Sequence, residues 1–229
     1  MCGRFLLRCP PDNWPSDLLG DSDYGVVFNL PASSAFETRS NISPTQSVLS
    51  IVQASAGESR TIQTFRWGLV PRWADDVKIG ASMINARSET VELKPSFRHA
   101  FAQRRCLIPA DGYYEWVKVK DKKQAMLIER PGRELFCFAG LWERNEKISS
   151  RTGEESATHE PLVTCTIITT AANQSMISLH DRMPVVIRPG DYRRWLDPNY
   201  RDVAALKSLL AAADEGFFVS KPVGKVSGS

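Results

Sequence analysis

The chain has 229 residues, 42% of them apolar and 24% charged, with a formal net charge of +3. Those proportions exclude a disordered or fibrous chain, and the length suits one sizeable core. The small positive charge admits a polyanionic partner without requiring one.

The chain opens Met1-Cys2-Gly3-Arg4-Phe5. The small side chain of Cys2 lets an aminopeptidase remove Met1, leaving Cys2 with a free α-amine beside its thiol. Only an N-terminal cysteine supplies such a 1,2-aminothiol. Its amine (reference pKa about 7.7–8.0) and thiol (about 8.5) are both partly deprotonated near neutral pH. An aldehyde meeting the pair forms an imine with the amine, and the sulfur then closes a five-membered thiazolidine.

A helix-like stretch follows at Pro15–Leu19, and Asp21–Ser40, mixed and rich in Ser and Pro, reads as a mobile surface insertion. Strand-like runs, rich in β-branched and aromatic residues, come next at Ser47–Val52 and Thr61–Leu69. They continue at Arg105–Ile108, Gln124–Ile128, Leu135–Leu141 and Leu162–Thr170. Helical patterning falls at Val91–Ala102, Asn173–Leu179, Pro189–Leu196 and Val203–Ala213, with Asp197-Pro198 as a stop between the last two. Polar Asn145–Glu160 reads as a second mobile insertion. The expected product is a single α+β, strand-rich domain over residues 1–229.

No apolar run approaches the length of a membrane span, and the N-terminus lacks a signal-peptide pattern. A reducing compartment and no membrane partner are therefore expected. The five cysteines (Cys2, Cys9, Cys106, Cys137, Cys165) are scattered and form no CxxC pair, so neither a metal nor another cofactor is expected. Cys106, Cys137 and Cys165 lie in apolar runs and read as core thiols; Cys9 has no evident role.

Glu115 lies among aromatic residues, where burial would favour its neutral form and suit it to proton transfer. A surface carboxylate at a strand end is the plainer alternative. Of the three histidines, His159 falls in the polar insertion and His99 in a helix-like segment. His180 precedes Asp181-Arg182, where a loop can aim it inward, and imidazole titrates near working pH. Asn85 can both donate and accept, although a turn asparagine has the same signature. Trp67, Trp73 and Trp116 could offer flat faces for unstacked bases, although a tryptophan taken singly is more often core filling. Trp73, between Arg72 and Asp75-Asp76, has the best claim.

Four islands carry most of these residues: Met1–Phe5; Trp67–Trp73 with Ile84–Thr90; Arg105–Trp116; and Thr169–Asn173 leading into His180-Asp181-Arg182-Met183-Pro184. In this order and spacing they resemble the SRAP (SOS-response-associated peptidase-like) family, from Met1 to about Pro222-Val223-Gly224. The resemblance implies a curved, barrel-like β-sheet core with flanking short helices. It also implies covalent capture of abasic sites in single-stranded DNA, with Cys2 attacking once Met1 is removed, a step that can be autoproteolytic. Asn85, Glu115 and His180 become its catalytic companions, Glu115 orienting or deprotonating the amine. Arg4, Arg87 and Arg182 would hold phosphates, and Asn41, Pro44, Thr169, Trp67, Trp73 and Trp116 would line the DNA cleft.

The expected partner is single-stranded DNA containing abasic sites, bound by a monomer in a eukaryotic nucleus or a bacterial cytoplasm. Family members continue past the final Pro-Val with an apolar segment, so the polar Lys225–Ser229 end implies a shortened or tagged terminus. Two other classes fit the same residues. One is a thiol peptidase using Cys2, His180 and a carboxylate or amide, whose minimal activity is removal of Met1. The other is a non-covalent reader of modified bases. One residue added before Cys2 should abolish crosslinking, spare an internal thiol's peptidase activity, and leave non-covalent binding nearly intact.

Overall fold

The computed structural model describes residues 2–19, 27–28, 37–54, 59–150 and 160–226. Among the described residues, fourteen strands fall in this order: β1 Phe5–Leu7, β2 Val27–Phe28, β3 Arg39–Ile42, β4 Ser47–Gln53, β5 Arg60–Trp67, β6 Asn85–Arg87 and β7 Arg105–Ala110. They continue with β8 Gly112–Val119, β9 Lys122–Glu129, β10 Phe136–Ser149, β11 Pro161–Ala171, β12 Arg182–Pro184, β13 Val186–Ile187 and β14 Val219–Val223. Four short helices flank them: α1 Ser16–Leu19, α2 Arg98–Gln103, α3 Tyr192–Leu196 and α4 Val203–Ser208.

Antiparallel pairing runs β5–β4–β7–β10–β11. A parallel contact between β11 and β5, Thr164 opposite Arg66 and Cys165 opposite Trp67, then closes the five strands into a barrel. Closure leaves these strands no free edge. It also explains why β7 is buried at every position and reads as an unbroken apolar run rather than an alternating one. The second sheet, in the order β14-β9-β8-β1-β3, is antiparallel throughout.

Phe5 of β1 joins the two layers, its ring edge-on to Trp67 at 5.3 Å and to Phe138 at 5.7 Å. The opposite face of the second sheet carries a smaller apolar cluster of Leu6, Tyr114, Ala125, Leu127 and Val226. Arg105 crosses the barrel's outside, donating to the carbonyls of Phe101, Ala102, Trp195, Asp197 and Tyr200. One buried guanidinium thus ties α2 and α3 to β7.

The strand-rich α+β expectation holds, with several local differences. Only Arg98–Gln103 of Val91–Ala102 is helical, since Pro95 lacks an amide donor and restrains the residue before it. Residues 174–179 form turns, not a helix. There the Asn173 side chain accepts from Met176 N at 3.0 Å, competing with the helical bond. The α4 helix stops at Ser208, short of Ala213.

The Asn145–Glu160 insertion begins later than expected, because β10 runs to Ser149. Asn145 is fully buried, its amide donating to Pro71 O and Ala74 O at 2.8 Å each. Residues 151–159 lie outside the described residues. Within Asp21–Ser40, Val27–Phe28 and Arg39–Ser40 are strand, Glu37 and Thr38 are exposed, and the rest lies outside the described residues.

Candidate active site at the amino end

Pairing of β1 with β8 puts Phe5 opposite Tyr113, and Tyr114 N donates to Arg4 O at 2.9 Å. The chain before β1 therefore runs back alongside Glu115. Cys2 is completely buried there. Burial and then the Glu115 charge drive its thiol far above the ordinary range, opposed by the chain's α-amino group and the Arg4 amide.

Asn85 opens β6, which pairs in parallel with β11, Asn85 lying opposite Ile167. The preceding carbonyl, Ile84 O, accepts from the Trp67 indole at 2.9 Å and from Ile167 N at 3.1 Å. Held on both sides, Asn85 donates through Nδ2 to Cys2 O at 2.9 Å. Its Oδ1 is buried with no hydrogen-bond partner among the described residues. A buried acceptor without a donor is costly, and it is suited to an amine or hydroxyl brought by a ligand.

Gly68, just after Trp67, has φ +122°, and a Cβ there would lie 2.7 Å from Gly80 O. Only glycine lets the two backbones meet this closely behind the site.

Glu115 is 6% exposed, and its pKa rises to about 7. Burial is the main cause; the α-amino group pulls the other way and Asp181 adds to the rise. Tyr113, two residues earlier on the same face of β8, is pushed upward by burial, then by Cys2 and Glu115.

His180 is about one-third exposed and shifts below its usual range, first through burial and then through the α-amino group, with Asp181 opposing. Its Nδ1 lies 3.0 Å from Arg182 N and 2.7 Å from Asp181 Oδ1. A neutral ring serves one of these at a time: Arg182 needs the lone pair, Asp181 needs a proton. Asp181 is 82% exposed and so open to solvent. The lowered pKa and the backbone donor therefore assign Nδ1 as the acceptor and put the proton on Nε2. The turn before His180 is pinned by Glu215, which accepts from Gln174 N at 2.8 Å and Ser175 N at 3.0 Å.

Cys2, Asn85 and Glu115 thus come together from three separate islands, Asn85 bonding to Cys2 and Glu115 acting on its thiol, while Asp181, next to His180, acts on Glu115. A carboxyl titrating near 7 and a neutral imidazole can exchange protons with an amine or thiol at neutral pH, while the fixed amide can hydrogen-bond to either.

A family model described as SOS response associated peptidase (SRAP) matches residues 1–228. The chain belongs to the SRAP family. The abasic site processing protein YoaM of Bacillus subtilis (strain 168) is 40% identical over 215 residues, spanning 93% of this chain and 87% of its own length. The abasic site processing protein HMCES of Xenopus tropicalis is 30% identical over 237 residues, spanning 86% of this chain and 66% of its own. Among solved structures, a phage-related protein of Bordetella bronchiseptica superposes with a TM-score of 0.69 at 26% identity, over 98% of this chain and 95% of that one.

The SRAP islands outside this cluster divide into exposed and internal residues. Trp73 is 51% exposed and Arg87 is exposed. Arg4, Asn41 and Pro44 are half-buried, with Arg4 Nη1 donating to Asn41 Oδ1 at 3.1 Å. Trp116 is half-buried and turns to the opposite face of β8 from Glu115, its ring 6.3 Å from that of Tyr114.

Three expectations are corrected. Trp67 is fully buried against Phe5, so its ring offers no face to a base; its indole instead fixes the strand that carries Asn85. Thr169 is also fully buried, within 3.5 Å of Ala86 O. Arg182 makes a two-pronged ion pair with Glu89, at 2.6 and 2.9 Å, and donates to Thr169 O at 2.6 Å. Its guanidinium is committed to holding the His180 segment against β6. Glu89, Tyr113 and Asp181 were missed as neighbours of the site; only Tyr113 had a local signal, sharing Glu115's face by period-two spacing.

Proposed function

We propose that this protein processes abasic sites in single-stranded DNA by capturing the ring-opened sugar covalently at Cys2, after removal of Met1. The names of its relatives support the abasic-site reading. The observation that carries the covalent step is the bond from Asn85 to the backbone carbonyl of Cys2, with Glu115 acting on the same residue. It fixes the main chain of residue 2, whose α-amine must do the attacking, rather than the thiol alone.

In the proposed reaction the free amine adds to the sugar aldehyde, and water leaves to give an imine. The thiol then adds across the C=N bond: sulfur bonds to carbon, its proton passes to nitrogen, and the five-membered ring closes. Glu115, half-protonated near pH 7, takes the proton from the attacking amine and returns it to the departing hydroxyl. Neutral His180 offers an Nε2 proton to the sugar oxygens, and Asn85 Oδ1 accepts from the amine or a sugar hydroxyl. Arg4 and Arg87 hold phosphates on either side, Trp73 presents a face to an unstacked base, and the protein works as a monomer.

A thiol peptidase needs a thiolate favoured by its surroundings. Burial drives the Cys2 thiol the other way, so the aminothiol reading fits the site better.

Intact mass of the protein before and after incubation with an abasic single strand tests this reading. The expected product lacks Met1 and carries the strand's mass less one water. A heat-stable adduct on a chain that retains Met1 would overturn the thiazolidine, and unshifted mass with tight binding would favour the non-covalent reader.

A further inference from the structure

The turn between β8 and β9 holds Lys118, Lys120, Lys122 and Lys123 against a single acid, Asp121. Four positive charges less one negative give +3, equal to the net charge of the whole chain. All four lysines are exposed, and none has an ion-pair partner among the described residues. Some exposed cations elsewhere are neutralised, as in Lys147–Asp75, Arg188–Asp214 and Arg144–Glu146, and the unpaired ones are not gathered on one turn. Lys225 extends the cluster, lining with Lys123, Gln124 and Trp116 one cavity of about 600 Å³.

Two local rules are broken to keep this charge in place. Lys118 sits directly opposite Lys123 in the β8–β9 ladder, where like charges destabilise the pair. Lys120 occupies the tip at φ +54°, a left-handed position that a two-residue hairpin normally gives to Asn or Gly. Breaches of local preference that all add one kind of charge mark a surface shaped by binding rather than by folding.

The hairpin continues the strand that carries Glu115, with Lys118 on the Trp116 face of β8, so a DNA strand leaving the candidate site would reach it across the sheet edge. Lys118 and Lys120 follow Glu115 by three and five residues along one strand, roughly 10 and 17 Å at about 3.3 Å per residue. At about 3.4 Å per nucleotide of a helical strand, that reaches about three to five nucleotides from the residue held at Cys2. We propose that the β8–β9 hairpin is a second nucleic-acid contact, gripping backbone phosphates that flank the lesion. It rests on the capture reading above and gives the protein a footprint longer than the lesion itself.

The test compares abasic strands with flanks of about two and about fifteen nucleotides, the long ones both single-stranded and paired beyond the lesion, at about 50 and 200 mM salt. Replacing all four lysines by Gln should leave capture of the short strand unchanged. On long flanks it should lower affinity at least about tenfold and flatten the salt slope by about three, at about 0.7 for each of the four lost phosphate contacts on a single strand. Loss on paired flanks only assigns the hairpin to a duplex arm, and loss on both assigns it to the strand itself.

Lys118→Glu provides the second readout, because it restores an opposite-charge pair with Lys123. It should raise the melting temperature while weakening long-flank binding. Unchanged affinity and salt slope in the four-lysine variant, or a stabilised Lys118→Glu that binds as the parent does, would overturn the proposal. Should the parent form no adduct on any strand, the capture reading fails, while long-flank affinity still decides the role of the hairpin.

Discussion

Replacing Glu115 by Gln probes the buried carboxyl without changing its shape. Its pKa moves from an ordinary 4.5 in the unfolded chain to about 7 in the folded one. The folded state therefore binds this proton more tightly, and stability falls as pH rises between those values. The contribution is fully present below about 4.5 and lost above about 7. At about 1.4 kcal/mol per pH unit, the whole interval is worth about 3 kcal/mol. Glutamine does not titrate, so Glu115→Gln should gain about 3 kcal/mol on its parent between pH 4.5 and 8. For a chain of this size that is a relative rise in melting temperature of roughly 6–12 °C. Urea unfolding of both proteins across this pH range measures the difference directly. A difference that stays flat with pH, or grows towards acid, would refute the buried-carboxyl account. The same variant should slow adduct formation about 10²-fold or more and remove any rate inflection near pH 7, while leaving DNA affinity close to the parent's.

Arg105→Ala removes a side chain that serves five carbonyls around α2 and α3; a loss of about 3–5 kcal/mol is expected in urea unfolding. Arg105→Lys should recover only part of it, because an ammonium cannot span that fork. Gly68→Ala forces a Cβ against Gly80 O at a positive φ and should cost more than about 2 kcal/mol, read as a shifted denaturation midpoint. Asn85→Ala should slow adduct formation about ten- to hundredfold, the kinetic equivalent of one buried hydrogen bond, with affinity for an intact strand unchanged.

The site residues legible from sequence were those whose chemistry is unusual in itself. An aminothiol at position 2 and a glutamate among tyrosines and tryptophan stand out without knowledge of the fold. Trp67 was legible too, by a signal that went unused. Phe65 and Trp67 alternate with Arg66 along β5, and period-two spacing puts both aromatics on the barrel side. Arg182 carried no such warning, because Glu89 lies 93 residues away and nothing near either residue announces the pair. Asn145 is the same case in the fold. Its polar neighbourhood reads as loop, yet it is buried to satisfy two carbonyls more than 70 residues earlier. The β8 strand was missed because Tyr113 and Tyr114 are both buried, one against the barrel and one in the outer cluster, so no apolar–polar alternation marks it.

The four candidate residues come from both layers of the fold. Cys2 and Glu115 belong to the second sheet, through β1 and β8; Asn85 and His180 belong to β6 and to the segment entering β12, both strands paired to β11 of the barrel. Neither layer holds the set alone. The distance between a proton-transfer group and the chain's first residues is therefore fixed by how the sheets pack, and Phe5 lies at that junction, wedged edge-on between Trp67 and Phe138. Barrel closure matters for the same reason. The β11–β5 contact pairs Cys165 with Trp67, and the Trp67 indole in turn holds the carbonyl next to Asn85. A chain end is ordinarily the least ordered part of a domain; here a closed barrel, one indole and one asparagine amide hold it in place.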